Sequence, residues 1–179
     1  GYNVAVGYQA GTAMTTGIYN TLIGAQSGDS LTTGSGNVGV GLNTLASEDA
    51  HGKNTAIGTD VLQTLNAGAD GYNTAVGYQS GKLLTTGTNN TLIGGQAGDS
   101  LTTGFGNIAI GRLALSTEDT GNRNTAIGHN ALSVLNYAGD GYNTAIGYAA
   151  GAAVTTGIQN TLIGGLAGDS LTTGNYNVA

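Results

Sequence analysis

The chain of 179 residues contains no cysteine, proline or tryptophan and very little charge. Without cysteine it has neither a disulfide framework nor a thiolate metal site. Four Lys and Arg residues against ten Asp and Glu residues give a net charge of −6, which leaves no basic stripe, so nucleic acid is not an expected partner. No apolar run reaches the ~20 residues of a membrane-spanning helix and no signal peptide is visible, so we expect no membrane insertion in this segment.

Glycine is abundant instead, with 34 residues. The absence of a Gly-X-Y triplet excludes collagen. Recurring Ile, Val and Leu at fixed places argue against a disordered low-complexity tract, because each unit carries its own apolar set.

The dominant pattern is an asparagine followed by a short apolar stretch. The steps between successive asparagines are 17, 17, 17 and 19 residues, and this series returns as a block of 70. Residues 1–70 align with 71–140 without a gap at 40 identical positions, and 141–179 form a partial third block. A period this short indicates one repeat array over 1–179, in which each unit is one coil of a solenoid. The asparagines are Asn3, Asn20, Asn37, Asn54, Asn73, Asn90, Asn107, Asn124, Asn143, Asn160 and Asn177.

We number each coil from its asparagine as position 1. Position 4 is Val or Ile and position 5 is Gly in all ten complete coils, and a second half-coil usually reads Leu-Thr-Thr-Gly. Glycine at every corner predicts positive φ or close backbone approach, so Gly94→Val should destabilise and Thr88→Val should not. The apolar stretches are too short for stable helices and are rich in β-branched residues. We therefore predict an all-β fold, a parallel β-solenoid (β-roll) of 17- and 19-residue coils, with the asparagines stacked in one ladder.

The two 19-residue coils, 54–72 and 124–142, have room for a helical turn. Two additional residues in a surface loop are the cheaper explanation, because lengthening a loop costs little entropy.

The strand also suggests assembly. Positions 2 and 4 share one face of a strand and position 3 takes the other. Position 3 is always small or apolar, like position 4, and a strand apolar on both faces is normally buried on both. We therefore expect the position-3 row to contact other copies in a homotrimer or filament, so that Ala75→Asp with Ala109→Asp splits the assembly. The alternative is that small Ala side chains tolerate exposure. The row is Ala5, Leu22, Gly39, Ala56, Ala75, Leu92, Ala109, Ala126, Ala145 and Leu162.

The stretch Asn143-Thr144-Ala145-Ile146-Gly147-Tyr148-Ala149-Ala150 resembles the head repeats of trimeric autotransporter adhesins. It is also similar to repeats of bacteriophage tail fibres and large bacterial surface proteins. The resemblance covers the whole chain and implies a left-handed parallel β-roll, three chains around a fibre axis, and an extracellular, cell-surface or virion location. The coils here are longer than the family's usual unit, and no anchor barrel or coiled-coil stalk is present in this sequence. Because it begins and ends in mid-pattern, we interpret it as a segment of a longer fibre.

The aspartates do not form an obvious site. Asp29, Asp99 and Asp169 occupy the same Gly-Asp-Ser corner four coils apart, about 19 Å at β spacing, so they cannot act as an acid–base pair. Asp70 and Asp140 lie in Asp-Gly-Tyr-Asn loops, but the calcium β-roll signature needs Asp in every nonapeptide.

The remaining candidates also lack a pattern. Glu48-Asp49 and Glu118-Asp119, with Lys53 and Arg123 nearby, suggest a solvated charged loop that opposes self-association. His51 and His129 occupy different coil positions and show no second type of ligand nearby. No nucleophile–base arrangement stands out. We expect no catalytic, cofactor-binding or metal-binding residues, and no enzyme activity.

Three functions stay open at this stage. The favoured one is a structural fibre or adhesin shaft, with itself as partner and a cell-surface glycan or protein as a further candidate partner. An ice-binding solenoid needs a flat Thr array, but Asp49-Ala50 and Asn66-Ala67 interrupt the Thr-Thr ladder seen at Thr32-Thr33. A polysaccharide-binding or -cleaving tailspike needs, for cleavage, a carboxylate pair in a groove.

Overall fold

The computed structural model describes residues 1–179 and consists of ten three-residue strands in one parallel sheet, ordered along the sheet as they are along the chain. It contains no helix that could cross a membrane. The strands are β1 Val4–Val6, β2 Thr21–Ile23, β3 Val38–Val40, β4 Thr55–Ile57, β5 Thr74–Val76, β6 Thr91–Ile93, β7 Ile108–Ile110, β8 Thr125–Ile127, β9 Thr144–Ile146 and β10 Thr161–Ile163.

Every strand pairs with the same coil positions of the next strand. Between β5 and β6, for example, Ala75 lies opposite Leu92 and Val76 opposite Ile93. The register holds across both 19-residue coils, where β4 pairs with β5 and β8 with β9. The predicted all-β parallel solenoid is therefore confirmed.

The asparagines form the predicted ladder. At each of the ten steps, the backbone N–H of one Asn donates to the side-chain Oδ1 of the Asn one coil earlier, as from Asn90 to Asn73 at 3.0 Å. The Asn90 side-chain Nδ2 donates to the carbonyl of Gly104 in the same coil at 2.9 Å. The side chain thus joins neighbouring coils and also closes its own coil, which no apolar residue could do.

Both predicted reasons for glycine at position 5 apply. All ten have φ between +129° and +138°, a region that residues with a Cβ rarely enter. A Cβ placed on Gly94 would also lie 2.6 Å from the carbonyl carbon and oxygen of Gly111 in the next coil. In the Leu-Thr-Thr-Gly half-coil, glycine is required only because the backbone of the next coil is close. A Cβ on Gly87 would lie 2.3 Å from the Gly104 oxygen.

From Leu22 to Leu162 the position-3 row lies inside the coil, so its assignment to a chain–chain contact is wrong. Ala75 and Ala109 are fully buried within the single chain, as is Leu84, the inward Leu of the second half-coil. The row is small because the opposite wall of the thin solenoid lies close, not because three chains meet there. The outward face of the strand belongs to positions 2 and 4.

The large core side chain comes from the strand in some coils and from the facing turn, at position 9, in others. Where the strand supplies Leu92 or Leu162, position 9 is Gly98 or Gly168, and a Cβ there would lie 2.8 Å from the nearer δ-carbon of that leucine. Where the strand supplies Ala126, position 9 is the buried Leu132.

The first coil of each complete block has small residues at both places, and in the second block its neighbours on both sides fill the space. A Cβ on Gly81 would lie 2.7 Å from Leu92 and 2.9 Å from Leu62, one coil away on either side. The 70-residue block is thus the repeat of a packing pattern that needs four coils to complete.

The longer coils contain no helical turn. Their additional residues lie in the loops at 67–70 and 137–140. On either side of the first loop the hydrogen bonds between coils continue: the Asn66 N–H donates to the Thr85 carbonyl and the Gly71 N–H to the Gly52 carbonyl. This confirms the surface-loop interpretation.

Candidate functional surfaces and a charged corner

The outward side of the strands forms an uncharged surface that runs the length of the sheet. We call the side chains at positions 2 and 4 of β1–β10 the outer face. Seven of the ten residues at position 2 are Thr, and position 4 is always Val or Ile. Val6, Ile23, Ile57, Ile146 and Ile163 are exposed at position 4, and the others there are partly buried. The position-4 row of the outer face, and not the position-3 row, is the apolar stripe that the solenoid leaves uncovered.

The glutamates of the charged loops lie in the core, so the prediction of a solvated loop is wrong for them. Glu48 and Glu118 occupy position 12, where most coils have an inward Leu, and both are 0% exposed. Burial raises the pKa of each carboxyl above its ordinary value of 4.5, although backbone N–H groups facing the carboxylates oppose the shift.

The position of these glutamates is explained by the coil that follows. Glu118 Oε1 accepts hydrogen bonds from the backbone N–H groups of Asp119 at 3.1 Å and Gly121 at 2.9 Å, and Oε2 accepts one from Tyr137 at 3.3 Å. Tyr137 begins the additional loop of the 19-residue coil. A buried N–H group needs an acceptor, and the carboxylate supplies one where the lengthened loop departs from the regular ladder.

Glu48 has the same place in the first block but makes fewer hydrogen bonds. Its Oε1 accepts from the backbone N–H of His51 at 3.1 Å. The Ala67 N–H faces the carboxylate but completes no hydrogen bond to the buried Oε2. The Nδ1 atom of His51 is also buried without one, and it lies 3.6 Å from Glu48 Oε1.

Asp49 completes this group. One ligand-capable atom from each of Glu48, Asp49 and His51 lies within 4.8 Å of the others; we call these three residues the charged corner. The expectation that His51 has no other type of ligand nearby is therefore wrong. The geometry of a single turn brings the three together, and the spacing Glu-Asp-X-His was the signal in the sequence.

The aspartates of the two long loops are held by basic residues one coil earlier. Asp70 pairs with Lys53, whose Nζ lies 2.6 Å from Oδ2 and donates to the Tyr72 hydroxyl at 2.9 Å. The hydrogen bond from Lys53 lowers the pKa of Asp70. Asp140 pairs with Arg123 in the second block. Each aspartate therefore has a cationic partner within the chain.

The other candidates stay apart. Asp29 and Asp99 follow β2 and β6, four coils from each other, and each has one buried Oδ1 without a hydrogen-bond partner. Burial raises the pKa of Asp99. His129 stacks on Tyr148, with ring centroids 5.6 Å apart, and its Nε2 lies 3.1 Å from Arg112. The structure contains no pocket.

No family model, curated protein or solved structure matches this chain. The solenoid, its outer face and its charged corner are the features of this chain that bear on its function.

Proposed function

We propose that this chain is a non-catalytic shaft segment of an extracellular fibre or adhesin, on a cell or a virion. The observation that carries the proposal is the unbroken ladder. Each strand contacts only the strands before and after it, and the register is the same at every step. Such an architecture sets length by the number of coils and tolerates the addition of repeats. The surface location is taken from the resemblance to adhesin-head and tail-fibre repeats.

A length series tests the shaft. Chains carrying one, two or three further copies of residues 71–140 should each lengthen by about 19 Å per copy, four coils at ~4.8 Å. Small-angle scattering of the purified chains measures the increment. A maximum dimension that does not grow with each copy would contradict a rigid shaft.

The working form in this proposal is a homotrimer, with the outer face as the contact between copies. The Val and Ile row of β1–β10 is supported as this contact by its exposure and lack of charge, since an exposed apolar stripe is rare on soluble monomers. Identical surfaces of this kind can close around a symmetry axis. A surface glycan or a protein receptor is a further proposed partner.

Paired substitutions test the trimer. Ile93→Asp with Ile127→Asp places charges on the outer face, while Thr86→Asp with Thr103→Asp places them on exposed positions elsewhere. Analytical ultracentrifugation should find a trimer for the parent and the Thr variant, and a folded monomer for the Ile variant. A parent that stays monomeric at micromolar concentration would contradict the trimer. The shaft proposal would then depend on the length series alone.

One observation favours ice binding as a second candidate. The uncharged outer face carries Thr on seven of ten strands, with three in succession on β4–β6 and on β8–β10. The Thr-Thr ladder of the second half-coil instead directs its hydroxyls at neighbouring carbonyls, as Thr85 does toward Thr102 at 3.1 Å. Thermal hysteresis of the purified chain, lost on Thr91→Lys with Thr125→Lys, would support this role. Freezing and melting points that coincide would exclude it.

A further inference from the structure

We infer that the charged corner of Glu48, Asp49 and His51 is a binding site for a transition-metal dication of the Zn²⁺ class. Two carboxylates and an imidazole are ligands that Zn²⁺ accepts, and three protein ligands leave a fourth position for water. The site is independent of the shaft and of the trimer.

The distances are close to those that a metal requires. Ligands at 2.0–2.2 Å from a tetrahedral zinc are about 3.4 Å from one another, and His51 Nδ1 already lies 3.6 Å from Glu48 Oε1. All three ligand atoms lie within 4.8 Å of one another. The Asp49 carboxylate therefore needs only a small side-chain movement.

Two buried atoms of this corner lack a partner within the chain. Glu48 is fully buried, and neither its Oε2 nor the Nδ1 of His51 completes a hydrogen bond, although the Ala67 N–H faces the Glu48 carboxylate. Buried polar atoms are usually satisfied, and a bound ion is one of the accepted explanations when no group of the chain satisfies them. A metal bound by the Glu48 carboxylate and by Nδ1 would satisfy both residues.

The second block provides an internal comparison. At the equivalent corner Glu118 uses both oxygens for backbone N–H groups, and the carboxylate of Asp119 accepts from the Thr102 hydroxyl. In the first block the equivalent Thr32 donates to the main-chain oxygen of Asp49 instead. Gly121 stands where the first block has His51. The second corner thus has no nitrogen ligand, and its carboxylates are engaged.

Titration calorimetry with Zn²⁺ alone, at a pH near 7.5, tests the inference, because metal binding displaces protons from its ligands and weakens at lower pH. We expect one Zn²⁺ per chain. His51→Gly, which copies the second block, and Asp49→Asn should each weaken binding at least tenfold. His129→Gly, which copies Gly95 and Gly165 at the same coil position, should leave the affinity within twofold of the parent.

Thermal unfolding provides a second measurement that also reports folding. A metal that binds the native state raises its midpoint, so Zn²⁺ should raise the midpoint of the parent and of His129→Gly but not of His51→Gly. No Zn²⁺ binding to the parent would overturn the site. So would undiminished binding by His51→Gly, or two equivalent ions per chain, because either result would assign the ions to carboxylates alone.

Discussion

At the scale of the residue, the corner glycines show how little freedom a coil has. Gly94 combines φ of +135° with a Cβ position 2.6 Å from the Gly111 carbonyl. A side chain there would strain its own backbone and also collide with the neighbouring coil, and neither can relax without disturbing the ladder.

Gly94→Val should therefore lower the free energy of unfolding by about 1–3 kcal/mol. Thr88→Val, at a partly exposed position of ordinary φ in the same coil, should change it by less than ~0.5 kcal/mol. Chemical denaturation of both variants measures the difference. Similar losses in the two would show that the corner is not where the strain lies.

Glu118 makes the stability depend on pH. Because burial raises its pKa in the folded chain, the folded state binds more protons than the unfolded state between the two pKa values. The contribution of Glu118 is therefore fully favourable below its unfolded pKa, about 4.5, and is lost as the pH rises through the folded pKa.

Glu118→Gln should remove this dependence. We expect the stability of the parent relative to the variant to be greatest near pH 4.5 and to fall toward pH 7, as measured by urea unfolding across that range. The amide of the variant keeps an oxygen for the Asp119 and Gly121 N–H groups, but its Nε2 faces the Tyr137 N–H. That lost hydrogen bond lowers the free energy of unfolding by the same amount at every pH, so it does not change the pH dependence. Parallel curves for parent and variant would contradict the assignment.

At the scale of the element, a strand and its facing turn share one core space. Leu92 fills that space from β6 over Gly98, and Leu132 fills it from the turn over Ala126. Leucine is accepted at this turn position despite positive φ, which is 48° at Leu132 and 54° at Leu115.

A double-mutant cycle tests this exchange. Leu92→Ala should cost about 2–5 kcal/mol by leaving a cavity, and Gly98→Leu alone should destabilise by crowding Leu92 and Leu101. The double variant should recover part of the loss, with a favourable coupling of about 1 kcal/mol or more. Additive losses would mean that the two positions do not share a space.

At the scale of the whole molecule, the unit that can be removed is the block and not the coil. Each strand contacts only its neighbours, so a deletion matters mainly through the junction it creates. A junction that keeps the four-coil order also keeps the alternation of leucine between strand and turn.

Deleting residues 71–140 preserves that order, whereas deleting 73–106 keeps the asparagine ladder but joins four successive coils that place Leu in the turn. The chain with the four-coil deletion is the shorter of the two. We nevertheless expect it to unfold at the same temperature as the chain with the two-coil deletion, or at a higher one. Calorimetry of both chains decides this. A clearly lower midpoint for the four-coil deletion would show that coil number outweighs core order.

The coil length, the asparagine ladder and the glycine corners could all be predicted from the sequence. Each depends on contacts between a residue and its equivalent one coil away, so the requirement recurs at every period and is visible as an unvaried residue. The loops at 67–70 and 137–140 were predictable for the same reason, since the ladder on either side sets their length.

Only the tertiary structure decided which side of the strand lies inside. Ala75 and Val76 are both apolar, so hydropathy cannot distinguish core from surface, and the choice depends on the turn that closes over position 3. It also decided that Glu48 is buried and meets His51, because convergence of side chains in a turn depends on a backbone path set by the neighbouring coil. The sequence by itself therefore determined the repeat and its ladder, and closure of the coil determined the outer face and the charged corner.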